Sequence, residues 1–468
     1  MARALHRFEQ FDPVETWQPW EPSPADPWNR KWAAHLYRRA GFGASREELV
    51  EAERLGLPGT LDLLLSGRPD AENIAPTLID AGRVAAERED GGHEIRSWWL
   101  YCMLHSGHPL REKMTLFWHN HFATSIAKVQ NTALMFRQNC LLRDHALSRF
   151  GPFLQAVGHD PAMLLWLDSN SNIRGKPNEN YARELMELFS LGVGHYTEKD
   201  IREAARAFTG WRTDGESVRL DHRFHDDGVK TVLGETGRWN GEDVVRIVLE
   251  QPAVAPFLVR KLYQFLVSER PVPDSLLEPL CESFRASSYD IAGVVRTILA
   301  SRHFYSDYAF RQRIKGPVEY VIGAVKAVCR YGSKDNESPL PQRVLVGWLA
   351  AMGQDLFAPP NVKGWPGGPA WLNTSTMLER DNFAAALATG TLWTNAPTDR
   401  IQEEEMPKGA EDIVRVLLDL YVPGGVRAEV KAKLVEFVAD GKLGDAAQCR
   451  RVREAVHALL SLPEYQLA

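Results

Sequence analysis

Four stretches of the chain carry residue types from which a chemical site can be assembled. The richest is Pro177 to Trp211, where a helix pattern from Asn180 sets Tyr181, Leu185, Leu188 and Phe189 on an apolar stripe with Asn180, Glu184 and Glu187 along its edge. Two carboxylates beside a buried face suit a general acid or base. Gly192 and Gly194 end this helix, Thr197 with Asp200 matches a capping box for the next, and His195 and Tyr196 occupy the loop between. A loop residue held by two helices is a functional candidate, and the plainer reading is a helical hairpin with solvated acids. Arg183 on the acidic helix serves either the site or an internal ion pair.

The second stretch is FWHNHF, Phe117 to Phe122. On a continuous helix His121 shares the stripe of Leu110, Met114 and Phe117 while His119 points almost oppositely, so one metal ion cannot take both. His121 is the better ligand candidate, and the alternative is a hydrogen-bonded core histidine. The letters HNH match a nuclease motif in name only, because that motif needs a strand-turn-helix scaffold. In the third stretch, His222 to Gly234, His225 and Asp226 supply the imidazole and carboxylate that Zn or Fe(II) sites use. Asp226, Asp227 and Gly228 equally suit a hairpin turn, and Lys230 offers a cation for an anionic group or an acid. In the fourth, NVKGWPGGPAW from Asn361 to Trp371, two indoles spaced by proline and glycines form a rigid loop suited to stacking a sugar, a peptide or another planar group. Tryptophan is also a core anchor. Asn373 or Thr374 is the expected cap of the following helix, with Arg380 and Asn382 as possible polar contacts on it.

Two functional classes follow. In the first, a metal-dependent enzyme, oxidoreductase or hydrolase, gathers His121, His195, His225 and Asp226 around Fe or Zn, with Glu184, Glu187 and Arg183 as catalytic groups and Trp365, Trp371 and Lys230 holding the ligand. Glu184, His195 and His121 then share one cavity, with the 222–230 hairpin at its rim. In the second, these polar groups form a packing network and the tryptophan loop of a helical scaffold binds a small molecule, glycan or peptide without catalysis. Glu184 and Glu187 lack the Glu-x-x-His partner of a di-iron bundle. The sequence contains no GxxxxGK[ST], strand-embedded GxGxxG, HExxH or GxSxG, which removes the common nucleotide and hydrolase mechanisms.

Together with HLYRRAGFGAS (His35 to Ser45), PLREKMTLFWHNHFATS (Pro109 to Ser125), HDPAMLLWLD (His159 to Asp168) and NVKGWPGGPAWLNTSTMLERDNF (Asn361 to Phe383), the Pro177 to Trp211 stretch resembles the bacterial domain of unknown function numbered 1800. The blocks stand in that family's order and span about residues 30 to 390. The resemblance implies motif positions and no catalytic role, because the family has no assigned activity. Many of its members begin with an export signal, and this sequence departs from them there.

The elements that must position these residues read as helices. With 468 residues, 44% hydrophobic and 25% charged, the chain suits a soluble globular protein with a large core. A net charge of -6 gives no overall pull toward nucleic acid. Cys102, Cys140, Cys281, Cys329 and Cys449 form no CxxC pair, so neither a disulfide framework nor a thiolate zinc site is indicated. No run approaches the ~18 apolar residues of a membrane span. No signal peptide is visible in the first residues, which reads as cytoplasmic. Residues 8–30, rich in Trp, Pro and Glu, read as an extended arm that packs indoles onto the body. Helical periodicity then predicts helices at 30–40, 45–55, 57–67, 93–106, 109–122, 128–147, 150–157, 161–167, 179–190 and 197–208. They resume at 241–250, 252–267, 274–286, 289–300, 311–330, 341–352, 374–389, 409–420, 427–439 and 447–461. Alternation with Gly turns between 212 and 238 predicts a small β-hairpin excursion. The expected fold is mainly α, a multi-helix array with a small β-hairpin insert. It divides into an arm (1–30), a helical lobe (31–211), the insert (212–240), a second lobe (241–393) and a C-terminal helical segment (394–468), with Pro, Gly and Ser-rich linkers near 332–340 and 394–409.

Overall fold

The computed structural model describes residues 11–328, 342–390, 409–439 and 446–468. The two expected linkers and Cys329 lie outside the described residues, apart from Gly409. Cys102, Cys140 and Cys281 are free thiols.

Helices dominate, and their ends follow local chemistry. Ser45 with Glu48, Thr197 with Asp200 and Asn240 with Asp243 each form a capping box that fixes where a helix begins. The Arg46–Ser66 helix breaks at Gly56, whose φ of 71° no regular helix accepts, which is why the sequence reads as two segments there. Among the described residues strand is confined to two separate antiparallel pairs, Trp211–Thr213 with Val218–Leu220 and Lys230–Val232 with Glu235–Gly237. Among the described helices longer than four residues, Ala71–Ala86 has no counterpart in the sequence reading. Its buried face is made of Ala71, Leu78, Gly82, Ala85 and Ala86, and a methyl on Gly82 would stand 2.4 Å from Phe136 and 2.5 Å from Trp98. The apolar signal lies in the large rings that cover this helix, so periodicity in its own sequence is faint.

The N-terminal arm packs as its tryptophans suggest. Asp12 caps a single turn, Pro13–Thr16. Trp17 Nε1 donates to Leu276 O at 2.6 Å and Trp28 Nε1 to Ala52 O at 2.9 Å. Trp20 stacks on Tyr305 with ring centroids 4.5 Å apart.

Two buried apolar clusters form the interior, and they divide the chain differently from the expected lobes. The first joins helices from the 30–66 and 110–309 regions, and the second joins residues 78–104 and 129–136 to the C-terminal helices between 318 and 465. The Pro109–His121 helix contributes Phe117 and Trp118 to the first cluster and Leu116 to the second, because successive residues are turned about 100° around its axis. A buried bidentate pair fixes this helix: Glu112 accepts from Arg143 at 2.7 and 2.9 Å and from Trp99 Nε1 at 3.1 Å.

Candidate functional site

A cleft of about 470 Å³ draws its lining from residues of both cores. Leu116, Phe117, Asn120 and His121 come from Pro109–His121, and Lys261, Gln264 and Phe265 from the Val254–Leu266 helix. Glu269, Arg313 and Glu319 add charge, and Lys363, Trp365 and Trp371 come from the glycine-rich loop.

Three consecutive residues of FWHNHF hold three different segments of the chain. His119 Nε2 accepts the Phe357 N–H at 3.2 Å, and its ring lies 5.6 Å from that of Trp365. Asn120 Oδ1 accepts the Trp365 N–H at 2.7 Å. His121 Nε2 lies 3.0 Å from Phe189 O and its Nδ1 lies 3.1 Å from Lys261 Nζ. A carbonyl only accepts, so Nε2 carries the hydrogen and Nδ1 receives one from Lys261. Burial, and then the Lys261 ammonium, push the His121 pKa well below its ordinary value, in keeping with a neutral ring.

The loop can approach this closely because of its glycines. Gly364 has φ of 76°, and a Cβ there would lie 2.1 Å from Asn120 Oδ1. Gly368 has φ of 55° and would place a Cβ 3.1 Å from the Glu269 carboxylate. Trp365 and Trp371 are thereby seated with 5% and 8% of their surface exposed. Asn373 caps the Thr374–Thr389 helix that follows. Arg380 on that helix turns away from the cleft, donating to Gln466 Oε1 and Lys315 O at 2.8 and 2.7 Å.

The cleft floor is ionic. Glu319, in the first turn of Pro317–Val328, accepts from Lys113, Arg313 and the Gly316 N–H, the last at 2.8 Å. Burial alone would raise its pKa, but Arg313 and Lys113 hold the carboxyl well below the usual carboxylate range. Burial lowers Lys113 to about 8 against the pull of Glu319. Burial likewise lowers Lys261 to about 8 and raises Glu269, the latter opposed by Arg313.

The acidic helix reaches the cleft through its end. Asn180–Glu184 runs into a π-helix, Leu185–Ser190, whose late carbonyls lack helical partners. Lys261 Nζ donates to Leu188 O at 3.1 Å and His121 to Phe189 O, so two cleft residues cap that helix.

Of the residues singled out from sequence, His121, Trp365 and Trp371 line the cleft. Glu184 does not line it; burial and Glu187 raise its pKa, while Arg183 and Lys363 oppose them. Glu187 accepts from the Tyr196 hydroxyl at 2.8 Å. Arg183 bridges Glu179 and Glu198 at 3.0 and 2.8 Å, joining two helices. His195 is exposed in the loop. The hairpin is held by its own turn and by the helix before it: His225 Nδ1 donates to Thr209 O at 2.8 Å, Asp226 is clasped by Arg206 at 2.8 Å, and Lys230 is buried against Asp226 O and Gly228 O. Its partners Arg206 and Thr209 do not line the cleft. Among the described residues no group of three or more His, Cys, Asp and Glu side chains is placed to hold a metal ion.

Sequence reasoning passed over Asn120, Lys261, Glu269, Arg313 and Glu319. One signal was present for Lys261, which sits between Phe257 and Phe265 at four-residue spacing, a lysine inside an aromatic stripe. Glu319 and Arg313 carry no such mark, because their importance comes from Lys113, some two hundred residues away in sequence.

The class defined so far is a mainly helical protein with a charged, tryptophan-walled cleft at the junction of two cores. Residues 35–467 match the family described as protein of unknown function, DUF1800, and the chain belongs to that family. No curated protein and no solved structure matches it. Among the described residues no helix is long and apolar enough to cross a membrane.

Proposed function

We propose that the protein is an enzyme that binds a small anionic molecule with a flat apolar face in this cleft and acts on it by acid-base or nucleophilic chemistry. The observation that carries the reading is the convergence of Lys261 and Lys363 with Trp365 and Trp371 on one cavity. Indole faces favour a planar group, and two ammonium groups, Lys261 half-buried and Lys363 exposed, favour an anion. Catalysis is supported by the neighbouring shifts of Lys261 downward and Glu269 upward, which bring a base and an acid toward neutrality within one cleft. A neutral glycan would leave the two lysines unused. Fe or Zn chemistry at the cleft would require His121 to surrender one of its two hydrogen bonds.

Intrinsic fluorescence tests this directly. Titration with planar aromatic carboxylates such as benzoate is expected to quench the wild type saturably, matched amides to bind more weakly, and Trp365→Phe and Lys363→Glu to lose most of the response. Equal responses to acid and amide, or full responses in both variants, would sink the reading.

A further inference from the structure

The Lys261 amine is oriented as well as half-buried. Nζ donates to Leu188 O and to His121 Nδ1, each at 3.1 Å. His121 can only accept at that atom, because its other ring nitrogen gives its hydrogen to Phe189 O. A neutral amine has two N–H groups, and both are engaged by the protein. Its lone pair therefore takes the one tetrahedral position left, and the space beside Lys261 that protein atoms do not fill is the cleft. The Phe257 ring, 4.6 Å from Nζ, shields a further side from water. Desolvation of this kind is how a lysine becomes a nucleophile.

We propose that Lys261 forms a Schiff base with the carbonyl carbon of an acidic, planar oxo compound held in the cleft, an aromatic or conjugated aldehyde or ketone bearing a carboxylate. This rests on the anion-binding reading above and names the substrate class. The Nζ lone pair adds to the carbonyl carbon, a C–N bond forms, and the carbonyl π electrons move to oxygen, which takes up a proton as nitrogen gives one up. The resulting hydroxyl then leaves as water, with the remaining amine hydrogen lost to solvent or to a cleft base, and a C=N bond remains. Amine plus carbonyl gives imine plus water, with no change of oxidation state. Glu269, in the same cleft, is the acid available to protonate the departing hydroxyl. Lys363 and the two indoles orient the carboxylate and the ring. His121 is a positioning residue that aims the amine.

The probe is 4-carboxybenzaldehyde with sodium cyanoborohydride, which reduces an imine to a stable secondary amine. Peptide mapping by mass spectrometry is expected to place the adduct on Lys261 at a rate about tenfold above any other lysine. Lys261→Arg retains a cation but no nucleophilic amine, so it is expected to lose the preferential adduct while the other lysines label at their wild-type rates. An adduct spread over surface lysines, with benzoate quenching intact, overturns the Schiff base and leaves the anion cleft standing. Loss of preferential labelling together with absence of any saturable quenching in the wild type overturns both. If Lys261→Arg fails to fold, prior saturation of the wild type with benzoate serves instead: protection of Lys261 from labelling supports the proposal, and undiminished labelling there overturns it.

Discussion

Asn120 Oδ1 accepts the backbone N–H of Trp365 at 2.7 Å, so the middle residue of FWHNHF fixes the first indole of the glycine-rich loop. Removing the acceptor by Asn120→Ala leaves a buried N–H without a partner, at a cost of about 1–3 kcal/mol. Gly364→Ala attacks the same contact from the other side, through a positive φ and a clash with that oxygen. Both variants are expected to lower the urea midpoint and to weaken quenching by benzoate. Wild-type affinity in both would separate the loop anchor from the site.

Glu319→Gln is expected to be the most damaging single change at the cleft. It leaves Lys113 and Arg313 buried without their anion, a loss of about 3–5 kcal/mol. The folded-state pKa of Glu319 is depressed, so its contribution is present above its unfolded value near pH 4 and is lost as pH falls toward the folded value. The gap between wild type and variant should therefore narrow in acid. A gap in the unfolding free energy that is constant from pH 7 to 3 would show that the charge of Glu319 is not what stabilises the fold.

Ligand binding should weaken with alkali. Lys261 loses its proton as pH rises through about 8, and with it goes part of the attraction for a carboxylate. The charged groups sharing the cleft are Lys363, Arg313, Glu269 and Glu319, and His121 faces Lys261 as a neutral ring. Benzoate affinity measured from pH 6.5 to 9.5 is expected to fall across this window in the wild type. It should stay level in Lys261→Arg, whose guanidinium keeps its charge. A parallel fall in both proteins would assign the titration elsewhere.

The hairpin should behave as structure. Lys230→Met strands the carbonyls of Asp226 and Gly228 and is expected to cost about 1–3 kcal/mol without changing benzoate affinity. Thermal unfolding and the same titration, run side by side, decide this.

Protein purified without an affinity tag is expected to carry less than about 0.1 equivalent of Fe or Zn, since a bound ion needs ligands free of competing partners. His121 uses both ring nitrogens within the protein and Asp226 is held by Arg206. Elemental analysis is the measurement. A full equivalent that disappears in His225→Ala or Glu184→Ala would restore a metal centre built from those residues.

Local order in the sequence determined the elements. Helix starts are written in capping pairs such as Thr197 with Asp200, stops in glycines such as Gly192, and the change at 211 in the loss of helical period. The opposed directions of His119 and His121 also follow from helix geometry, and the structure sends them to Phe357 and Lys261. Trp365 and Trp371 stood out because two indoles are spaced by proline and glycines within one loop. Tertiary structure decided which charges meet. Lys113 and Glu319, Asn120 and Trp365, or His121 and Lys261 are separated by 140 to 245 positions, and no periodicity links residues across such distances. It also decided which candidates are committed elsewhere: Asp226 reads as a ligand until Arg206 is placed against it, and Lys230 as an anion contact until it turns inward onto its own hairpin. Burial and pairing are properties of the packed whole. The sequence supplied the chemical groups of the cleft, and only the close packing of two cores gave Lys261 its half-buried surroundings and its neighbours.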